Sequence, residues 1–180
     1  MTRIKRVNDE VFIAQDPIVQ VDQAQMAALK TQAARNPRHR ARLCAHKDNE
    51  DRLHEMLIVL ASTAYIRPHK HLNKTESFHV VEGTAIVIFF DESGRIEQVM
   101  HVGDAASGRP FYFRNDDPRF HTQIITSDFL AFHETTNGPF NRADTIFAPW
   151  SPEETDTAAA AAFVDKLRHA VAQMPGRPEK

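Results

Sequence analysis

The chain has 180 residues, 42% of them hydrophobic, a formal net charge of −2 and a single cysteine, Cys44. That length suits one domain that buries its core without staples, and a lone cysteine excludes an intrachain disulfide. The near-balanced charge creates no global field for nucleic acid or anionic membrane, no apolar run is long enough for a spanning helix, and no apolar stretch follows the basic start Met1–Arg6 as a signal peptide requires. A cytoplasmic protein with no nucleic-acid and no membrane partner is therefore expected.

In chain order, Glu10–Ala14 reads as a short strand ended by Asp16-Pro17. Asp22 with Gln25 three residues on forms a capping box, and Met26, Leu29 and Ala33 follow at helical spacing, which predicts a helix over 23–34 stopped by Asn36-Pro37. Arg38, Arg40 and Arg42 alternate, so they share one face of an extended chain. Such a face is either a solvated basic surface or an anion site, since guanidinium forks match carboxylate and phosphate. Cys44 reads as a small packed residue. Glu55–Ile66 is an apolar run predicting a strand buried on both faces. Strands are predicted over 77–81, 84–90, 95–102, 111–114, 120–125 and 128–134, with turns at Glu82-Gly83, Asp91–Gly94, Gly103-Asp104 and Asn115–Pro118. Short strands with hairpin punctuation predict an antiparallel sandwich or barrel. Ser151-Pro152-Glu153-Glu154 reads as a helix start, and Phe163, Leu167, Ala170 and Met174 as an apolar stripe that packs on the barrel or on a second subunit. Three segments are expected: an N-terminal strand, helix and arginine-rich stretch over 1–50, a barrel over 51–150, and a helix and tail over 151–180.

Chemistry concentrates in Arg67–Glu76. His69 and His71 stand at i and i+2, which do not face each other on a helix but point to one side of a strand, and Pro68 opposes a helix interior. Leu72–Thr75 then turns the chain and Glu76 returns at the start of the next strand. Two imidazoles and a carboxylate suit a divalent transition metal. Counting back by two places Tyr65 and Arg67 on the histidine face, where a buried arginine needs an anionic partner, either a carboxylate of the fold or a ligand. His133 and Glu134 fall on opposite strand faces, so one looks inward. His54, His79 and His101 read as structural or surface residues, with His79 out of register with Glu76.

The pattern His-x-His-x4-Glu-x6-Gly, closing at Gly83, is similar to the first cupin motif, whose family adds a third histidine from a later strand. The longer runs Leu53–Leu60, Phe78–Gly83, His133–Phe140 and Phe147–Trp150 resemble the WbuC-type cupin-fold metalloproteins, and the resemblance spans roughly residues 25 to 155. Two positions depart from the generic pattern: Thr63 stands where the first motif opens with glycine, and Ile125 where the second carries asparagine. His121, which follows a turn and opens a strand, is the candidate third histidine. The resemblance implies a mainly β, cupin-type antiparallel barrel (a double-stranded β-helix or jelly roll) with short flanking N- and C-terminal helices. It implies one divalent transition metal (Zn, Fe, Ni or Mn) on His69, His71, Glu76 and His121, and an inward Glu134. Glu134 and Tyr65 are the candidate catalytic acid–base groups; Arg67, Arg38 and Arg40 are the candidate substrate-binding groups. The expected ligand is a small anionic or sugar-like molecule, as the family name's origin in surface-polysaccharide gene clusters suggests. Two readings stand: an isomerase, lyase or oxygenase of the cupin type, or a non-catalytic sugar-binding protein. A homodimer paired through residues 10–14 is expected, because an uncovered edge strand invites pairing.

Overall fold

The computed structural model describes residues 2–174. Among these the chain forms twelve strands and two helices: β1 (Ile4–Arg6), β2 (Val11–Ala14), α1 (Gln23–Arg35), β3 (Arg40–Cys44), β4 (Leu53–Ala61), β5 (His69–His71), β6 (Glu76–Glu82), β7 (Thr84–Phe90), β8 (Ile96–Gly103), β9 (Tyr112–Asn115), β10 (Phe120–Ile125), β11 (Phe129–Asn137), β12 (Thr145–Phe147) and α2 (Thr157–Gln173). The strands make a seven-stranded sheet ordered β1-β2-β3-β4-β11-β6-β9 and a five-stranded sheet ordered β12-β5-β10-β7-β8. Face to face, the two sheets enclose a common core as a jelly-roll β-barrel.

Alternation along the strands explains the layers. Ala85, Val87 and Phe89 of β7 join Leu60, Phe78, Val80, Leu130 and Phe132 in the core between the sheets. Their neighbours Ile88 and Phe90 leave the other side and pack with Phe163 and Leu167 of α2. The stripe predicted on α2 thus covers the smaller sheet, although Met174 at its end is exposed. On the far side, Met26, Leu29 and Ala33 of α1 cover Ala41, Leu43, Val59 and Ala131 of the larger sheet. Asp22 and Gln25 form the predicted capping box that starts α1. Gly83 turns β6 into β7 with φ at +86°, and a Cβ there would lie 2.1 Å from the Phe129 carbonyl oxygen, so the glycine that closes the histidine motif is a steric requirement.

Several expectations need correction. The sheets are not wholly antiparallel: β2 pairs parallel with β3, because α1 supplies the helical crossover that parallel neighbours need. β1, not foreseen, pairs with β2, so residues 10–14 are covered on both sides and the edge belongs to β1. β4 ends at Ala61 instead of running to Ile66, where Ala64 N–H closes a turn on the Ala61 carbonyl at 2.9 Å. β12, also unforeseen, flanks β5. α2 is capped by Asp156 and not by Ser151; the Ser151 hydroxyl donates to the Ala148 carbonyl at 2.7 Å and accepts from Arg67 Nε at 3.1 Å. The tail beyond Met174 lies outside the described residues.

That strap of residues after β12 joins the two sheets. Arg40 Nε reaches Glu10 at 3.2 Å and its Nη2 reaches Glu154 at 3.2 Å. Arg38 bonds the same two carboxylates at 3.0 and 2.5 Å. Arg40, Glu10 and Glu154 are mostly shielded, whereas Glu153, the partner of Arg67, is 69% exposed. Removing shielded Glu154 takes one of two carboxylates from each of two guanidinium groups, while an exposed pair contributes little. Glu154→Ala is therefore expected to cost about 1–3 kcal/mol and Glu153→Ala less than about 0.5 kcal/mol, read as shifts of the urea midpoint at unchanged slope.

Candidate metal centre

β5 lies between β10 and β12, so its two histidines meet side chains from both. His69 is directly opposite His121 on one side and Phe147 on the other, and His71 is opposite Thr145. Directly opposed residues share a sheet face, and in this sheet that face is the barrel interior. The ring centroids of His69 and His121 lie 4.7 Å apart, those of His69 and His71 4.9 Å, and those of His71 and His121 6.0 Å. One nitrogen from each of the three falls within 4.8 Å of the others.

Glu76 comes from the opposite sheet. Its Oε1 lies 3.1 Å from His71 Nε2 and its Oε2 3.5 Å from His121 Nε2. The turn that brings it back uses Asn73 at φ +60°, a residue type that tolerates the left-handed region. The structure thus brings together all four residues singled out from the motif.

The outer nitrogens are tied down. Nδ1 of His69 bonds the Arg67 carbonyl at 2.8 Å and Nδ1 of His121 the Arg119 carbonyl at 3.1 Å, while Nδ1 of His71 meets Thr145 Oγ1 at 3.0 Å. Where Nδ1 donates to a carbonyl, Nε2 is left as a lone pair facing the cavity, the tautomer a metal ligand needs. Burial and the neighbouring imidazoles push the His69 pKa down to about 3, and burial lowers that of His121, so both rings are neutral donors at neutral pH. Burial alone would raise the Glu76 pKa; the hydrogen bond from His71 and the electrostatic influence of the surrounding imidazoles outweigh it and hold the carboxyl below its ordinary value. Glu76 Oε2 is buried without a hydrogen-bond partner. Neutral imidazoles, an ionised carboxylate and an unsatisfied oxygen form a donor set that fits a divalent transition metal.

Glu134 faces the same interior. It is paired with Met56 and Phe78, and Phe78 belongs to the core between the sheets. Burial and the charge of Glu76 push its pKa up to about 8. His133 takes the outer face, 3.7 Å from Glu55, and His79 is exposed there.

The other four candidates are engaged elsewhere. The Tyr65 hydroxyl donates to the Pro152 carbonyl at 3.1 Å and lines a separate cavity of about 350 Å³ against α2, with Arg38 and Glu154; burial pushes its pKa up to about 12. Arg67 bonds Ser151 and Glu153 of the strap and stacks over Phe147, its guanidinium carbon 5.0 Å from the ring centre. Its anionic partner is thus a carboxylate of the fold, Glu153. Arg38 and Arg40 are held by Glu10 and Glu154. Residues 64–68 lie outside any strand, so strand parity does not carry from His69 back to Tyr65 and Arg67; Arg67 nonetheless stacks on Phe147, the residue opposite His69. Sequence reading also missed His54, which is buried opposite Thr136 on the interior face. Only the β4–β11 register places it there.

A family model described as a domain of unknown function (DUF6016) matches residues 21–102, less than half of the chain. No curated protein matches. Among solved structures, a protein of Shewanella oneidensis is similar over 75% of this chain and 81% of its own, with a TM-score of 0.47 and 16% identity. The capsular polysaccharide assembling protein CapF of Staphylococcus aureus is similar over 59% of this chain, with a TM-score of 0.45 and 17% identity; the match spans 31% of CapF. The Schizosaccharomyces pombe Cnp3 cupin domain is similar over 54% of this chain and 64% of its own, with a TM-score of 0.42 and 11% identity. No helix among the described residues is long and apolar enough to cross a membrane.

Glu134 also sets a pH dependence. Its folded pKa of about 8 lies above the ordinary 4.5, so the folded state holds this proton more tightly than the unfolded state. The resulting stability is fully present below pH 4.5 and is lost as pH rises through about 8. In chelator-treated protein, wild type is expected to lose more melting temperature than Glu134→Gln between pH 5 and pH 9, by roughly 2–4 °C per kcal/mol of the difference. Parallel curves for the two proteins contradict the assignment.

Proposed function

We propose that this chain is a metal-dependent cupin enzyme acting on a small anionic or sugar-derived molecule at a centre formed by His69, His71, Glu76 and His121. The observation that carries this reading is the convergence of three imidazoles from one sheet and a carboxylate from the other, with the outer imidazole nitrogens tied down. Zn, Fe, Ni and Mn are all compatible with this donor set. A divalent ion bound there supplies Lewis-acid polarisation of an oxygen on the substrate.

The chain's own residues do the rest. Thr145 and the Arg67 and Arg119 carbonyls orient the imidazoles. Glu134 is the acid–base group of the proposal. A carboxyl pushed up to about 8 keeps its proton at neutral pH and sits close enough to working pH to release and regain it. The surrounding core excludes bulk water, which strengthens each of these interactions. The WbuC-type sequence resemblance supports a substrate connected with surface polysaccharide, and the free edges at β1 and β9 support self-association as a homodimer.

The test is metal analysis of protein purified without a chelator or a metal-affinity tag. The expected result is about one equivalent of transition metal per chain in wild type and near-complete loss in a His69→Ala/His121→Ala double variant. Stoichiometric metal in the double variant excludes this centre.

A further inference from the structure

We propose that the polar end of the barrel interior, from Glu76 across to Arg42, is an oxyanion-binding subsite that anchors the charged group of a hydroxylated carboxylate or phosphate. This rests on the metal centre proposed above and names the substrate class that the centre takes.

The starting point is one cross-strand row. Thr136 of β11 is directly opposite Glu76 of β6 on one side and His54 of β4 on the other. All three side chains are more than nine-tenths buried, at 6% exposure for Glu76, 5% for Thr136 and 4% for His54. Four buried side-chain polar atoms lack a hydrogen-bond partner among the described residues, and three of them are in this row: Glu76 Oε2, Thr136 Oγ1 and His54 Nε2. Buried polar groups are normally paired, so three unsatisfied atoms side by side mark a surface shaped for a polar ligand. The loop over this end carries Gly138, where a Cβ would come within 2.7 Å of His54 Nε2. The glycine keeps that polar edge from being crushed.

The second observation is charge. Arg42, Ile58 and Phe132 form a parallel row on the same face, with the Cys44–Met56–Glu134 row between it and the first. Arg42 and Glu134 are two strands apart and one step along, so their Cα atoms lie roughly 12 Å apart, a gap the two side chains together bridge. Arg38, Arg40 and Arg67 are all held by carboxylates. Arg42, by contrast, forms no ion pair among the described residues, and neither does Lys74, on the turn leading into Glu76. Lys74 Nζ rests 5.2 Å above the Phe140 ring, at the end of the barrel where Thr136 lies. With Glu76 and Glu134 both ionised and a divalent ion in place, the charge balance of this end is still positive. An anionic group completes it, seated on the guanidinium fork of Arg42, while hydroxyls of the same molecule satisfy Thr136 and Glu134.

Calorimetric titration of metal-loaded protein with inorganic phosphate and with glycolate tests the proposal, the two probes separating phosphate from carboxylate sources. Wild type is expected to bind at least one, and Arg42→Gln to weaken that binding about tenfold or more, as expected for loss of a charged hydrogen bond. Arg42→Lys keeps the charge and the fold but loses the fork, and is expected to weaken phosphate severalfold. Thr136→Val is expected to weaken glycolate more than acetate. Failure of both probes to bind metal-loaded wild type overturns the subsite, as does binding by Arg42→Gln or Arg42→Lys equal to that of wild type. Metal content measured on the same samples separates the two readings. Metal-free protein that binds phosphate through Arg42 keeps the subsite and sinks the metal centre. Metal-replete protein whose anion affinity ignores Arg42 does the reverse.

Discussion

The contact on which the rest of the interior depends is the reach of Glu76 from the larger sheet to the imidazoles of the smaller one. A carboxylate taken out of water costs several kcal/mol even after relaxation, and a single hydrogen bond to a charged group returns only about 1.5–3 kcal/mol. The bond to His71 therefore does not offset the burial of Glu76 by itself. The field of three histidines helps, yet two of these rings are held neutral by the same burial. A divalent cation held among these donors would satisfy the carboxylate together with the lone pairs of His69 and His121. The contacts of Glu76 with His71 and His121 already join the two sheets through the site, so its geometry is tied to how they face each other.

A second constraint acts at the seam between β3 and β12. No backbone pairing joins these strands, so side chains have to close the gap. Arg38 and Arg40 do so through Glu154, and Arg67 and Tyr65 hold the same strap at Ser151, Pro152 and Glu153. In sequence these residues look like ligand-binding groups, because alternating arginines beside a metal motif suggest an anion site. Their carboxylate partners lie 28 to 116 positions away in the chain, and nothing local announces that distance. Burial also explains the lost helix start. Ser151 has the right neighbours for an N-cap, but Arg67 and the Ala148 carbonyl take its hydroxyl first.

What was legible followed from strict periodicity. The i, i+2 spacing of His69 and His71, the turn and the returning Glu76 required only strand parity and a short loop, and the structure places them accordingly. The capping box of α1, the hairpin at Gly83 and the two-sided burial of β4 were likewise local. The illegible parts depended on pairing. β1 and β12 are three-residue strands without a hydrophobic pattern of their own, defined only by β2 and β5 beside them. His54 and Thr136 became neighbours of Glu76 only through the register of β11. Parity counting has no footing where the chain leaves a strand, between Ala61 and His69.

The division of the interior accounts for one departure from the generic motif. His121, Gln123 and Ile125 alternate along β10 and face inward together. His121 reaches the polar end, but Ile125 sits opposite Ala85 within the apolar core, among Leu60, Val87 and Leu130. An asparagine four residues after the histidine would place an amide among those side chains with no partner in the cluster to bond, at a cost of about 1–3 kcal/mol. Isoleucine there closes the apolar end of the barrel, and the polar chemistry is confined to the end where Glu76, Thr136 and His54 meet. The same substitution that weakens the motif in the sequence thus draws the boundary of the site in the fold.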